Sequence, residues 1–347
     1  MAMRRKGCTK IERVFGEDEK SKGKGHYWNK VGMQYGELIV EEKLDGGYYL
    51  CACSCGNYLK VKTSDLRDSI SKSKTHCGCL TTKYEKDENY FEKIDTEEKA
   101  YILGFLATDG CIGKSGNSKR IKITLNYKDY ELLNRIAKEF KSEIPIREYN
   151  ISTKLPQGTF CNSRVCEINI CSNKICEDLE KYGIHQNKTY NMLINLELIP
   201  NNLIRHFVRG VIDGDGSFGI YCNDNLTKIS YDAFRLTGNK YFLEQIKNIM
   251  EMSIPGLILK EKENGNGISE LYLNSKTYFI DIQNYLYNDS CFYLKRKYDK
   301  HLKCIELIND INRINSKNNL SLLSKEEKEE LKNLIKTKGS NDYPVRE

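Results

Sequence analysis

The chain has 347 residues, 39% of them hydrophobic, enough to bury one large core or two medium ones, which excludes a disordered or fibrous polypeptide. Its 55 Lys and Arg stand against 48 Asp and Glu, and the net charge of +7 suits a polyanionic partner yet is ordinary for a soluble enzyme, so charge alone selects no function. No apolar run approaches the roughly 20 residues of a membrane helix, and the start, with Arg4, Arg5 and Lys6, offers nothing like a signal peptide, so the 14 cysteines read as thiols or metal ligands in a reducing interior.

Residues 1–30 combine nine Lys or Arg with four acids, glycines and little apolar content, and read as a basic flexible arm. Residues 31–83 change character. Short alternating runs, GELIVEEKL and YYLCACSCGNYLKVKTSDL, predict a small β-rich module whose first hairpin turns at Gly46 and Gly47. A module of this size needs a staple. Cys51, Cys53 and Cys55 alternate along a strand and share a face, while Cys77 and Cys79 form a second C-x-C beside His76. A tetrahedral Zn²⁺ site on Cys53, Cys55, Cys77 and Cys79 would cross-link the two segments, with Cys51 as the rival ligand, although C-x-C departs from the commoner ligand spacing. Reduced, buried cysteines are the plain alternative.

A charged linker, 83–95, leads into a repeat. YILGFLATDG (101–110) and FVRGVIDGDG (207–216) are imperfect copies of one pattern: aliphatic, Gly, aliphatic, aliphatic, small or acidic, small, Asp, Gly. In residues 95–195 the first copy sits on a helix for which Asp95 and Glu98 predict a capping box. Two strands follow, then a helix with Leu133, Ile136 and Phe140 on one face, then the strands IPIREYN and RVCEINICSN and the short helix ICEDLEKYG. Residues 196–305 give the same order, and 168–182 align without a gap on 271–285. The expected fold class is therefore α+β, with two pseudo-twofold-related αββαββα halves behind the small β-rich zinc module. Residues 306–347 form a helical extension in which Ser324 and Glu327 predict a capping box, and the stripe Leu331, Leu334, Ile335 is expected to dock on the core.

Gly104 and Gly210 sit mid-helix, where glycine costs about 1 kcal/mol relative to alanine, a cost that close approach of two helices would offset. Packing the two motif helices on each other brings Asp109 and Asp215 side by side. Paired carboxylates at helix C-termini suffer mutual repulsion and an unfavourable dipole, so a divalent cation, best Mg²⁺, is the natural resolution. One such Asp-Gly is an ordinary helix stop; two in register within a wider repeat are not.

VRGVIDGDG (208–216) closely resembles the motif of the LAGLIDADG homing endonucleases in their two-motif, single-chain form. ILGFLATDG (102–110) resembles it more loosely, with Ala107 where the family often has an acid, but with the final Asp and Gly kept. The similarity spans roughly residues 95–305 and includes NKTY (187–190) and YLKRKYDK (293–300). It implies a monomeric, site-specific nuclease for double-stranded DNA, active in intron homing, with Asp109 and Asp215 holding catalytic Mg²⁺ and Lys188 as the basic residue of the first half. In the second half the equivalent lies among Lys295, Arg296 and Lys297, with Lys297 favoured. Asp213 reads as a capping or supporting residue. The sheets would enter the major groove, with Lys114, Lys119, Arg120 and Lys122 in the first half and Lys228 and Arg235 in the second as DNA-binding residues, and Asn117 and Asn225 able to read base edges. The cysteine segment is similar to small modules beside nuclease domains in phage-type proteins, which implies an accessory DNA-binding role. An intracellular location follows: prokaryotic or phage-infected cytoplasm, or an organelle. The alternative readings are an RNA maturase of the same type, a sequence-specific DNA-binding protein that does not cut, and a structural zinc protein.

Overall fold

The computed structural model describes residues 29–54, 56–66, 74–77, 84–115, 118–154, 160–188, 191–316 and 319–339. Nearly all of the basic arm, together with Cys55, Cys79, Asn117, Thr189 and Tyr190, lies outside them. The chain divides into two compact units, residues 1–83 and 84–347. Among the described residues, no helix is long and apolar enough to cross a membrane.

The first unit is one antiparallel sheet of β1 (Gln34–Tyr35), β2 (Leu38–Leu44), β3 (Tyr48–Cys53) and β4 (Tyr58–Lys62), in that spatial order. Gly46 and Gly47 join β2 to β3 with φ of 73° and 78°, the left-handed conformation the hairpin requires. Period-two alternation puts Leu38, Val40, Tyr49, Cys51, Cys53 and Val61 on one buried face, joined by Tyr35 and Leu66.

The second unit runs α1 (Glu97–Thr108), β5 (Gly110–Ser115), β6 (Ser118–Asn126), α2 (Tyr130–Glu139), β7 (Arg147–Lys154), β8 (Phe160–Cys171) and α3 (Asn173–Lys181). The same order then recurs as α4 (Ile204–Asp215), β9 (Ser217–Cys222), β10 (Ile229–Asn239), α5 (Lys240–Ser253), β11 (Lys260–Gly265), β12 (Ile268–Asn274) and α6 (Thr277–Tyr287). Each set of four strands forms one antiparallel sheet, in the orders β5-β6-β8-β7 and β9-β10-β12-β11. One face of each is apolar. Ile121, Ile123 and Leu125 of β6 and Cys166, Ile168 and Ile170 of β8 are buried, against α2 and α3. Leu236 of β10 and Leu271 and Leu273 of β12 play the same part with α5 and α6. The opposite faces carry the polar side chains.

One sequence expectation is corrected at the start of α1. The cap is Thr96, whose hydroxyl accepts from the Lys99 N–H at 3.2 Å, and Asp95 instead pairs with the Lys99 ammonium at 2.8 Å. Both residues suit a cap, and the chain takes the one a single position nearer the apolar run. At the other end, α7 (Lys295–Ile314) leads to α8 (Lys325–Leu334), which begins with the reciprocal Ser324–Glu327 capping box and closes in a π turn over Ile335–Gly339. Leu331 and Ile335 are buried, and the extension lies against α7 and β9.

Candidate active site

The site is set by the contact between α1 and α4, both of which are buried along most of their length. Their backbones meet at the two glycines. A Cβ added at Gly104 would stand 2.0 Å from the Phe207 carbonyl oxygen, and one at Gly210 would stand 2.0 Å from that of Tyr101. No side chain fits there, so the glycines fix how closely the helices approach. Further along, a Cβ at Gly214 would lie 1.9 Å from Thr108 Oγ1 and 3.5 Å from Asp109 Oδ2, so the end of α4 passes beside the acid that follows α1.

Asp109 is the C-cap of α1 and half-buried; Asp215 is the last residue of α4 and more open to solvent. Burial, followed by the neighbouring Asp215 carboxylate, pushes the Asp109 pKa up to about 6. Asp215 is raised too, because the protein around it displaces water even though its side chain reaches the surface, and Lys188 and Lys297 oppose that rise. The two acids thus repel each other at one end of the helix pair.

Each acid has a lysine behind it. Lys188 Nζ donates to the carbonyls of Leu106 (2.6 Å), Ala107 (2.6 Å) and Thr108 (2.8 Å), the last turn of α1. Lys297 Nζ does the same for α4, donating to Ile212 (2.7 Å), Gly214 (3.2 Å) and Gly216 (2.6 Å). In the repeat, Leu106 corresponds to Ile212 and Thr108 to Gly214, so the two ammonium groups occupy matching places. Their positive charge counters the helix dipole and the carboxylates. Burial lowers both lysines to about 8, against the pull of the acids. The neighbours of Lys297 turn elsewhere: Lys295 pairs with Asp299 at 3.1 Å and Arg296 with Asp129 at 3.0 Å.

Asp213, two residues back on α4, is fully buried and does not cap. Its carboxylate accepts from Tyr101 Oη (2.8 Å), Tyr287 Oη (2.7 Å) and the Leu294 N–H (2.7 Å), tying α1, α6 and the approach to Lys297 to one point. A second buried tie was not foreseen. Arg209 donates from Nη2 to Glu97 (2.6 Å), from Nη1 to Ser290 Oγ (2.6 Å) and His206 Nδ1 (2.8 Å), and from Nε to the Phe292 carbonyl (2.9 Å). Its partners lie up to 112 residues away in sequence, so only its place inside an apolar helix hinted at it.

The basic residues expected on the sheets divide between two faces. Arg120 and Lys122 alternate with the buried Ile121 and Ile123 and so lie on the polar face of β6. Lys119 has the parity of Ile121 and pairs with Glu180 of α3 at 2.8 Å, on the helix side, opposite Lys114 in the strand register. Arg235 is on the polar face of β10, while the exposed Lys228 precedes that strand and the exposed Asn225 lies in the same turn. In the first unit, Cys51 and Cys53 share the buried face of β3, and the half-buried Cys77 packs near them. Among the described residues, no cluster of three or more His, Cys, Asp or Glu is arranged to hold a metal.

No protein-family model matches the sequence, and no curated protein is similar to it. Solved structures with a similar backbone include the LAGLIDADG homing endonuclease I-GzeII in complex with its DNA target, 16% identical over 70% of this chain and 98% of that chain, TM-score 0.46. Another is the I-LtrWI LAGLIDADG homing endonuclease bound to target DNA, 16% identical over 74% and 99%, TM-score 0.46. A third is the meganuclease I-SmaMI bound to uncleaveable DNA, 13% identical over 70% and 98%, TM-score 0.49.

Proposed function

We propose that this chain is a monomeric, site-specific endonuclease of double-stranded DNA, of the LAGLIDADG homing type. Residues 95–195 and 196–305 would form its two pseudo-twofold-related halves. The observation that carries this reading is the pair Asp109 and Asp215, at matching ends of two glycine-packed helices and each backed by a lysine held on the helix carbonyls.

The chemistry is hydrolysis: water adds to phosphorus, one P–O bond breaks, and the departing oxygen is protonated. The donor set suits Mg²⁺, which binds through one or two carboxylates and leaves its other positions to water and phosphate. When bound, such a cation neutralises the acids and the phosphate and polarises the attacking water. The chain's own residues supply the rest. Asp109 and Asp215 would hold the cation, Lys188 and Lys297 keep positive charge beside the reacting phosphates, and Asp213 fixes the end of α4 through Tyr101 and Tyr287. The polar sheet faces would lie along the DNA, with Arg120, Lys122, Lys228 and Arg235 as contacts, whereas Lys114, paired with Lys119 across the strands, is on the helix side. Residues 31–83 would form an accessory DNA-binding module, stapled by Zn²⁺ on cysteines that include Cys53 and Cys77.

The test joins the DNA that flanks the gene across the point of insertion, places it in a plasmid, and adds protein and Mg²⁺. The full chain should linearise it. Asp215→Asn and Asp109→Asn should still bind while cutting at least about 100-fold more slowly, the scale of losing a charge that acts in the transition state. Undiminished cutting by either variant would sink the assignment.

A further inference from the structure

The repeat that sets Asp109 and Asp215 also repeats a pair of charges on the sheet faces. Stepping one residue back from the 168–182 and 271–285 alignment pairs Glu167 with Glu270. On the neighbouring strands KITLN (122–126) matches RLTGN (235–239), pairing Lys122 with Arg235 and Thr124 with Thr237. The register is the same in both sheets. Lys122 lies opposite Asn169 and Thr124 opposite Glu167; Arg235 lies opposite Tyr272 and Thr237 opposite Glu270. In each sheet the cation reaches diagonally to the acid, Lys122 to Glu167 at 3.1 Å and Arg235 to Glu270 at 2.7 Å.

Glu167 is built in, while Glu270 is partly open, with a side-chain exposure of 19%, and is held by Arg235. Glu167 is only 7% exposed and also accepts from Tyr149 Oη (2.7 Å), Thr124 Oγ1 (3.2 Å) and Asn169 Nδ2 (2.5 Å). Burial pushes its pKa up, but the donors outweigh this and hold it at about 2, so it stays ionised. Arg235 is gripped from a second side, its Nε donating to Asp232 at 3.0 Å. Both cations nevertheless reach solvent, with side-chain exposures of 37% for Lys122 and 36% for Arg235.

A carboxylate in the middle of a face that meets phosphates weakens general attraction to DNA, because it neutralises the cation beside it. What it supplies is a fixed donor direction. A free Lys or Arg follows phosphates, whereas one locked in place can discriminate a base edge, and guanine O6 and N7 are its natural acceptors. The location is equally specific. Lys122 pairs across the strands with Cys111 and Arg235 with Ser217, each two residues beyond Asp109 or Asp215. At the strand rise Cys111 and Ser217 stand roughly 7 Å beyond the acids, with Lys122 and Arg235 one strand spacing, about 5 Å, further across.

Building on the nuclease reading above, we propose that Lys122 and Arg235 are equivalent base-reading cations. Glu167 and Glu270 are positioning residues that aim each at one guanine, in base pairs close to the two scissile phosphates.

The test is selection from a random-sequence double-stranded DNA library, in Ca²⁺, with the full chain, Glu167→Gln and Glu270→Gln. The unaltered chain should show a G·C preference of about tenfold or more at two inner positions. Glu270→Gln should cut that preference to about twofold at one of them and leave the other; Glu167→Gln should do the mirror image. Each variant should bind unrelated DNA more tightly at low salt, with a salt dependence steeper by about one counterion, because its cation is released to the phosphates. A merely structural role would weaken every position together. Unchanged profiles, or uniform weakening, overturn this inference and leave the nuclease intact, whereas a chain that selects and cuts no DNA overturns both. Should Glu167→Gln fail to fold, Lys122→Gln must lose the same position, and its retention overturns the inference.

Discussion

Asp109 carries an electrostatic cost that the proposed cation would relieve. Its carboxyl binds a proton more tightly in the fold than in the unfolded chain, because burial and Asp215 hold its pKa near 6 against an ordinary 3.8. The sign follows from linkage: stability is highest below about pH 4, is lost as pH rises through 6, and stays lost above. Asp109→Asn removes the charge, so in EDTA at pH 8 the variant should be more stable than the unaltered chain. The gain should be about 1–2 kcal/mol, less than the shift alone gives because the Asp215 side of the site is open to water. At pH 4 the gain should vanish, and adding Mg²⁺ at pH 8 should stabilise the unaltered chain only. Denaturant midpoints at the two pH values measure this, and an equal gain at both would remove the electrostatic account. The acid itself was readable from the repeat. Its protonation behaviour was not, since that depends on how closely the second acid and Lys188 approach, which no spacing encodes.

The helix pair makes the sharpest statement at the next scale. Gly→Ala inside a helix ordinarily stabilises by about 1 kcal/mol. At Gly104 and Gly210 the sign should reverse, because the new Cβ meets backbone at 2.0 Å and only separation of α1 and α4 relieves it. We expect a loss of about 3 kcal/mol or more for either variant, and, on the proposed nuclease reading, loss of cleavage as the acids move apart. Gly214→Ala meets the Thr108 hydroxyl at 1.9 Å, which can rotate at the cost of its bond to Phe105, and the Thr108 Cβ at 2.8 Å, so it should lose less than a clash with backbone; thermal unfolding of the three variants gives the order. These contacts were legible because a mid-helix glycine that recurs in a repeat has few other uses. The order of elements was legible too, since Leu133, Ile136 and the alternating Ile121 and Ile123 carry clear periods. The same alternation, applied strictly, assigns Lys119 to the helix side with Ile121. The cap at Thr96 was misjudged by one residue because Asp95 is chemically as suitable. Arg209 stayed hidden because Glu97, Ser290 and Phe292 converge on it only after the chain has folded. Glu167 and Glu270 were one residue outside the aligned block.

The whole chain is two units of very different size, and their stabilities should differ in kind. Residues 84–347 bury one continuous core that runs from Tyr90 to Ile335. The described core of residues 1–83 is eight side chains, Tyr35, Leu38, Val40, Tyr49, Cys51, Cys53, Val61 and Leu66, on one face of a four-stranded sheet. So little apolar burial does not outweigh the entropy of ordering the strands without a cross-link. If cysteines including Cys53 and Cys77 bind Zn²⁺, that free energy is the folding energy of the unit. Unfolding should then proceed in two steps. A zinc chelator should abolish the first and leave the second within a degree or so, and Cys53→Ser should do the same without chelator. A chain starting at Tyr84 should unfold in the second step alone and, on the proposed nuclease reading, still cut DNA in Mg²⁺, with weaker binding if residues 31–83 add contacts. Calorimetry with and without chelator decides: a single transition that ignores both chelator and Cys53→Ser would mean that thiol packing alone holds the small sheet.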